Sequence, residues 1–392
     1  IQLGNSFTSM APSHTLVANN FFDKCNGEVE VISSKTNFNE FRNNIFYKSE
    51  GSLVTRHGNY CIIDGNYFIG DTNSEQIGGV RLIGTGHWVT NNYFFNLKGK
   101  IFRSPLAVMN GIPKSPLNRY IQVTDVVVAH NSWINCTSPL QFGVGSNVDQ
   151  KEVLPTSEIR SERPIRTIVA NNLIYNTKGD EKPIVAHDSL DGINFKSNLI
   201  NNQGEPFDYD FEFLQKDFTL AQLKENILIP TSDFPNMELY KGFEFDQIRK
   251  DLFGNSRKNT NGVGAISGTS TNKINLMDLS NYGPDWYDPK SPDNTNAIIH
   301  SAGSVSQLET AVKKAKSGDT IILTAGHYDL KLPLKIAKKV TVKGADANNK
   351  ATIVYNGPKE TPAFEMNPKG ELILENIHLK GTGSQYAFAC LK

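Results

Sequence analysis

An asparagine that opens a β-rich run recurs along the first half of the chain, and this repeat limits the possible folds more than any other feature. It is seen as "NNFFD" at Asn20, "NNIFY" at Asn44, "GNYFI" at Asn66, "NNYFF" at Asn92, "HNSWI" at Asn131, "NNLIY" at Asn172 and "SNLIN" at Asn198. The steps are 24, 22, 26, 39, 41 and 26 residues. Short strands, polar turns and a period in the low twenties predict a right-handed parallel β-helix, each coil stacked on the next at about 4.8 Å. The two long steps fit coils that carry a long loop. The asparagines are expected to form an internal ladder at one turn, each amide bonding to the coils above and below. A β-propeller would need longer blades, about 40 to 45 residues, with Trp-Asp marks that this chain lacks.

The 392 residues carry 40 Lys+Arg against 40 Asp+Glu and are 38% hydrophobic, which suits one large or two medium domains. There is no basic tract to follow a nucleic-acid backbone and no run of about 18 apolar residues to span a membrane. Cys25, Cys61, Cys136 and Cys390 are scattered, without zinc-site spacing, and read as packed thiols. The chain opens at "IQLGNS" and stops at "FACLK" inside an alternating pattern, so it is expected to be cut at both ends. Residues 1–270 are expected to form the β-helix, with the aromatic, acidic stretch after Gly204 covering its end. Residues 271–298 include "SNYGPDWYDPKSPDNTN" and read as a linker. Over 299–392, Val305, Leu308, Val312 and Ala315 share one face of a short helix leading into strands, the start of a second β-helix.

The repeat also places distant residues near one another. Lys35 and Arg56 are 21 residues apart and Arg81 follows 25 later, each step close to one coil, so the three are expected as a file of cations on one face. His57 adjoins Arg56, and Glu28 and Glu30 precede Lys35 on what reads as a single strand face. Two like charges side by side need a positive neighbour. Taken singly, each of these is as well explained by a solvated surface, and "NGIPKSPLNRY" by a Pro-rich loop anchored through Arg119 and Tyr120. Their arrival on one face is what points to a long anionic polymer.

The segments "NNFFDKCNGEVEVISSKT", "GSLVTRHGNYCIIDGNYFIG", "GGVRLIGTGHWVTNNYF" and "MNGIPKSPLNRYIQV" resemble polysaccharide lyase family 6, which holds alginate lyases and the dermatan-cleaving chondroitinase B. The resemblance runs over roughly residues 1–270 and implies the same β-helix, with a second one in a subset of members. It implies that Glu28 and Glu30 are calcium ligands, Lys35 the general base and Arg56 the general acid. His57, Arg81, Arg119 and Tyr120 correspond to substrate-contacting groups. The family's third calcium ligand, an Asn, falls upstream of "IQLG".

On this reading Ca2+ neutralises the uronate carboxylate while Lys35 removes the C5 proton, work that needs its neutral amine. Whether Arg56 or water protonates the leaving C4 oxygen stays open. The loop "MNGIPKSPLNRY" is nearer the alginate-cleaving members, so alginate is the expected substrate, with dermatan sulfate or chondroitin as the alternative. Secretion, or a periplasmic location, follows from the resemblance, and a homodimer is among the partners it allows. Two other functions stay open: a non-catalytic module that holds a polyanionic polysaccharide, and a uronate C5-epimerase. A hydrolase would need a carboxyl pair across the bond, and Glu28 and Glu30 have no aspartate partner nearby.

Overall fold

The computed structural model describes residues 1–71, 73–180, 182–203, 212–258, 262–268, 297–346, 348–381 and 386–390. The chain divides into two compact units, Ile1–Pro284 and Asp285–Lys392. Most of the linker expected over 271–298 lies outside the described residues.

In the first unit each coil contributes one strand to each of three parallel sheets. Sheet 1 runs Gln2–Leu3, Glu30–Ser34, Gly51–Val54, Ile77–Leu82, Leu106–Met109, Leu140–Val144 and Ile184–Ala186. Sheet 2 follows it around the coil, from Leu16–Ala18 through Glu40–Arg42 and Ile62–Asp64 to Ile193–Lys196. Sheet 3 closes the coil, from Phe21–Asp23 through Ile45–Tyr47 and Tyr67–Ile69 to Phe213–Gln215. This is the predicted parallel β-helix.

The asparagines sit at the corner between sheets 2 and 3 and form the expected ladder. From Asn20 through Asn44, Asn66, Asn92, Asn131 and Asn172 to Asn198, each Nδ2 donates to the Oδ1 of the next at 2.9–3.1 Å. The same Oδ1 also accepts the backbone N–H of the asparagine before it, as Asn92 does from Asn66 at 3.0 Å. The residue just before each ladder asparagine has a positive φ: Asn19, Asn43, Gly65, Asn91, His130, Asn171 and Ser197. The corner therefore needs a left-handed residue, which is why "NN" and "GN" dominate the repeat. Inside the coils, Phe22, Phe46, Phe68, Phe94 and Trp133 stack at 4.6, 4.6, 4.8 and 5.3 Å between ring centroids. Identical positions on successive coils thus carry like side chains that fill the core face to face.

The long repeat steps arise from two insertions at the corner between sheets 1 and 2, residues 110–126 and 145–166. The stretch after residue 211 differs from expectation. It pairs as an antiparallel hairpin, Leu220–Lys224 with Ile227–Pro230, and covers a flank of the helix rather than its end. Phe218, Ile227 and Ile229 pack on the outward residues Ile45, Tyr67, Tyr93 and Leu173 of sheet 3. Phe245 and Ile248 cover Val127, Ala129 and Ala170 of sheet 2. These outward positions are apolar, and burying them needs a cover. Sheet 1 keeps its outer face for other use.

The second unit is again a parallel β-helix, with three sheets that start at Ile299–Ala302, His327–Leu330 and Leu334–Ile336. Its helix, Val305–Lys314, is capped by Ser304 and buries Leu308, Ala311 and Val312. It packs against the strands of the first coil, closing the core at that end as its amphipathic pattern predicts.

Candidate active site

The expected residues gather on the outer face of sheet 1 and at its corner with sheet 2. Register fixes their positions. Ser33, Val54, Arg81 and Ala107 are partners on four successive strands. Lys35 lies two residues beyond Ser33 and Arg56 two beyond Val54, so these two occupy matching places on neighbouring coils. Arg81 does not complete their file, because it sits in the preceding row as the partner of Val54. Glu28 also departs from expectation. The strand begins at Glu30, and Glu28 lies exposed in the bend before it. Gly51 explains the bend, since it has a φ of +114° and a Cβ there would come within 2.7 Å of the Glu28 carbonyl and 2.8 Å of that of Val29.

The displaced Arg81 has its own partner. Arg81 is 8% exposed and bonds through Nη2 to the Glu30 carboxylate, while Arg56 Nε lies 3.9 Å from the same carboxylate. Arg81 reaches this depth because Gly79 lets the strand bulge: a Cβ there would lie 2.1 Å from the Pro105 carbonyl, and the register shifts between Ile77 and Val80. Burial lowers the pKa of Arg81 and the Glu30 charge partly restores it. Arg56 continues to Tyr120, donating from Nη1 to the phenol oxygen at 2.7 Å with its guanidinium 4.8 Å from the ring. Tyr120 comes from the 110–126 insertion, held by its carbonyl to the Ile112 N–H at 2.7 Å.

His57 is 6% exposed, and its Nδ1 is 3.0 Å from Ser9 Oγ. Burial, then the charges of Arg56 and Lys35, push its pKa down to about 4, so it is neutral at pH 7. Arg119 is exposed at the rim and spends its charge on Glu158. Two groups at the site escaped the sequence reading. Arg160 lies 5.5 Å from the Tyr120 ring on the side of the 145–166 insertion, its Nε donating to the Gly145 carbonyl. Phe102 lies 5.9 Å from the Arg81 guanidinium. Neither holds a fixed offset from the asparagine repeat, so no periodic signal marks them.

The donors do not by themselves compose a calcium site. Calcium takes six to eight oxygens, and Glu28 and Glu30 offer four at most. Glu30 is already held by Arg81 and neighboured by Arg56, and no group of three or more His, Cys, Asp or Glu suited to a metal occurs among the described residues. Arg81 puts one positive charge directly on Glu30. Arg56 and Arg160 flank the Tyr120 ring beside the Arg81–Glu30 pair, with Lys35 on the coil next to Arg56, so this outer face is rich in positive charge. Such a surface suits a polymer of carboxylates.

A sequence model of the chondroitinase B family matches residues 1–246. No curated protein matches the chain. Among solved structures, the PL6 family alginate lyase AlyGC is 33% identical at a TM-score of 0.55, covering 96% of this chain and 46% of its own. A single-residue variant of that enzyme gives 32% at the same score and coverage. A mannuronic acid specific family 6 lyase from the human gut microbiota is 29% identical at a TM-score of 0.47, covering 56% of this chain and 48% of its own. The chain thus spans less than half the length of each. It belongs to the chondroitinase B family of polysaccharide lyases, polysaccharide lyase family 6.

Proposed function

We propose that the chain cleaves alginate by β-elimination. The observation that carries this reading is the pairing of Lys35 and Arg56 at matching places on neighbouring coils, next to Tyr120 and above the Arg81–Glu30 pair. Lys35, as the neutral amine, takes the C5 proton of a uronate. The electrons of that C–H bond form the C4–C5 double bond, the C4–O bond breaks, and the leaving oxygen receives a proton from Arg56. A guanidinium is a poor acid in water, but here it is held between a carboxylate and a phenol and aimed by both. Tyr120 and Arg160 contact the sugar and its neighbouring carboxylate, while neutral His57 offers a hydrogen bond beside Arg56. Arg81 acts from below, holding Glu30 and through it Arg56. Arg119, neutralised by Glu158, leaves the contact expected of it to Arg160. A polymeric substrate is met outside the cytoplasm, so secretion or a periplasmic location goes with this reading.

The identity to a PL6 alginate lyase supports alginate. The family description supports dermatan sulfate or chondroitin as the second substrate. Exposed Glu28, two residues from Glu30, supports calcium bound with further oxygens from substrate and water, as a second source of positive charge. One experiment addresses all three. The chain and Lys35→Ala are incubated with alginate or dermatan sulfate, with and without EDTA, and the ultraviolet absorbance of the conjugated uronate is followed. Growth on alginate in the wild type, reduced roughly a thousandfold or more in Lys35→Ala, is expected. Loss of activity in EDTA would assign calcium to the glutamates, and persistence would leave the arginines in sole charge. A flat trace on both polymers from folded wild-type protein would overturn the lyase reading in favour of a binding module. Change in sugar composition without chain cutting would identify an epimerase.

A further inference from the structure

A cleft of about 620 Å³ opens at the other edge of sheet 1, where three successive coils turn into it from sheet 3. None of the residues discussed above for catalysis lines it. Lys98, Lys178 and Lys182 do, and no ion pair is formed by any of them among the described residues. Lys98 Nζ meets only a carbonyl, that of Asn135 at 3.3 Å. Asp180, the one carboxylate that lines the cleft among the described residues, is turned to backbone, accepting from the N–H of Ser138 at 2.6 Å and of Lys182 at 3.2 Å. Among the described residues, three ammonium groups therefore face one carboxylate whose oxygens are already bonded.

The rest of the lining is amide and hydroxyl, from Asn96, Asn135, Thr137, Ser138 and Thr177, which suits a ligand rich in hydroxyls. Among the described residues no aromatic side chain lines the cleft, so it has no platform on which a nucleic-acid base would stack. Successive coils lie about 4.8 Å apart, comparable to the length of one sugar residue.

We infer that this cleft is a second binding site for an anionic polysaccharide, in which Lys98, Lys178 and Lys182 pair with uronate carboxylates and the amide and hydroxyl side chains beside them with sugar hydroxyls. This rests on the substrate class proposed above, with no chemistry at the cleft. It would hold a long chain while the candidate active site acts on another part of it, so it matters for polymer and little for short pieces.

The test is the triple substitution Lys98→Ala, Lys178→Ala, Lys182→Ala, made both in the active chain and in Lys35→Ala. In the active chain KM for polymeric alginate should rise on the order of tenfold, with kcat and the turnover of an alginate trisaccharide unchanged. In the Lys35→Ala background, retardation on an alginate-containing gel should fall to a similar degree and dextran should bind neither protein. The Lys→Arg triple keeps the charge and should keep the binding, which separates loss of charge from damage to the fold. Unchanged polymer affinity in the alanine triple overturns the second site while leaving the lyase reading intact. Binding that depends on the lysines in a chain with no turnover would keep the site and remove the lyase reading.

Discussion

At the scale of single residues, the site is organised by a charge that cannot be removed cheaply. Arg81 is buried, and its compensation comes from Glu30, whose side chain is 18% exposed. Glu30→Gln leaves the guanidinium in a poorly solvated place with a neutral partner, so stability should fall by about 3 kcal/mol in urea unfolding. Activity should fall as well, since Arg56 loses the carboxylate beside its Nε. If Gln proved neutral in stability, the pair would not be what holds Arg81 in place. Lys35 and Arg56 were legible in the sequence because they ride on the coil repeat, which converts a difference near 21 residues into adjacency. Arg160 was not, because it lies in an insertion where chain distance says nothing about space. Glu28 was misplaced for a local reason: the close approach of its carbonyl to Gly51 bends the backbone before the strand starts.

At the scale of elements, the asparagine ladder carries the corner between sheets 2 and 3, and its worth follows from what it satisfies. Asn92 Oδ1 accepts both the backbone N–H and the Nδ2 of Asn66, and its own Nδ2 donates to the Ile63 carbonyl at 2.8 Å. Asn92→Ala strands these buried groups with no water at hand, and should cost about 2–5 kcal/mol by urea denaturation. The same change at Asn20, whose side chain is at the exposed end of the ladder, should cost much less. Equal losses at both sites would mean that burial is not what makes the ladder strong. The ladder was legible because both its members and their left-handed neighbours recur in step. The cover formed by residues 218–258 was not, because a segment packed on a flank follows the sheet beneath it and has no period of its own. Its aromatic content signalled burial; only the structure shows against which sheets.

At the scale of the whole molecule, the β-helix buries histidines on several coils, and this makes its stability depend on pH. His87 is fully buried, accepts the Cys61 N–H at Nδ1 at 3.2 Å and has Nε2 2.9 Å from the Ile83 carbonyl. That arrangement needs the neutral ring, with the proton on Nε2, because a protonated Nδ1 would face another donor. Burial holds the pKa of His87 at about 4. His130 is also driven well below 6.5, by burial and then by the charge of Arg257, and His57 falls to about 4 beside Arg56 and Lys35. In the unfolded chain these rings titrate near 6.5, so between about pH 6.5 and 4 the unfolded state binds more protons than the folded one. The stabilisation from neutral burial is therefore complete above about pH 6.5 and is lost as the pH falls through the folded values. For His87 alone the loss by pH 4 is on the order of 3 kcal/mol. The melting temperature should hold steady from pH 8 to 7 and then drop progressively towards pH 4, with a shallower drop in His87→Gln. A melting temperature flat across that range would show that the folded rings accept protons as readily as the unfolded ones. The share of this acid loss carried by His130, which lies against Phe245 under the cover of sheet 2, should be the same with and without alginate bound.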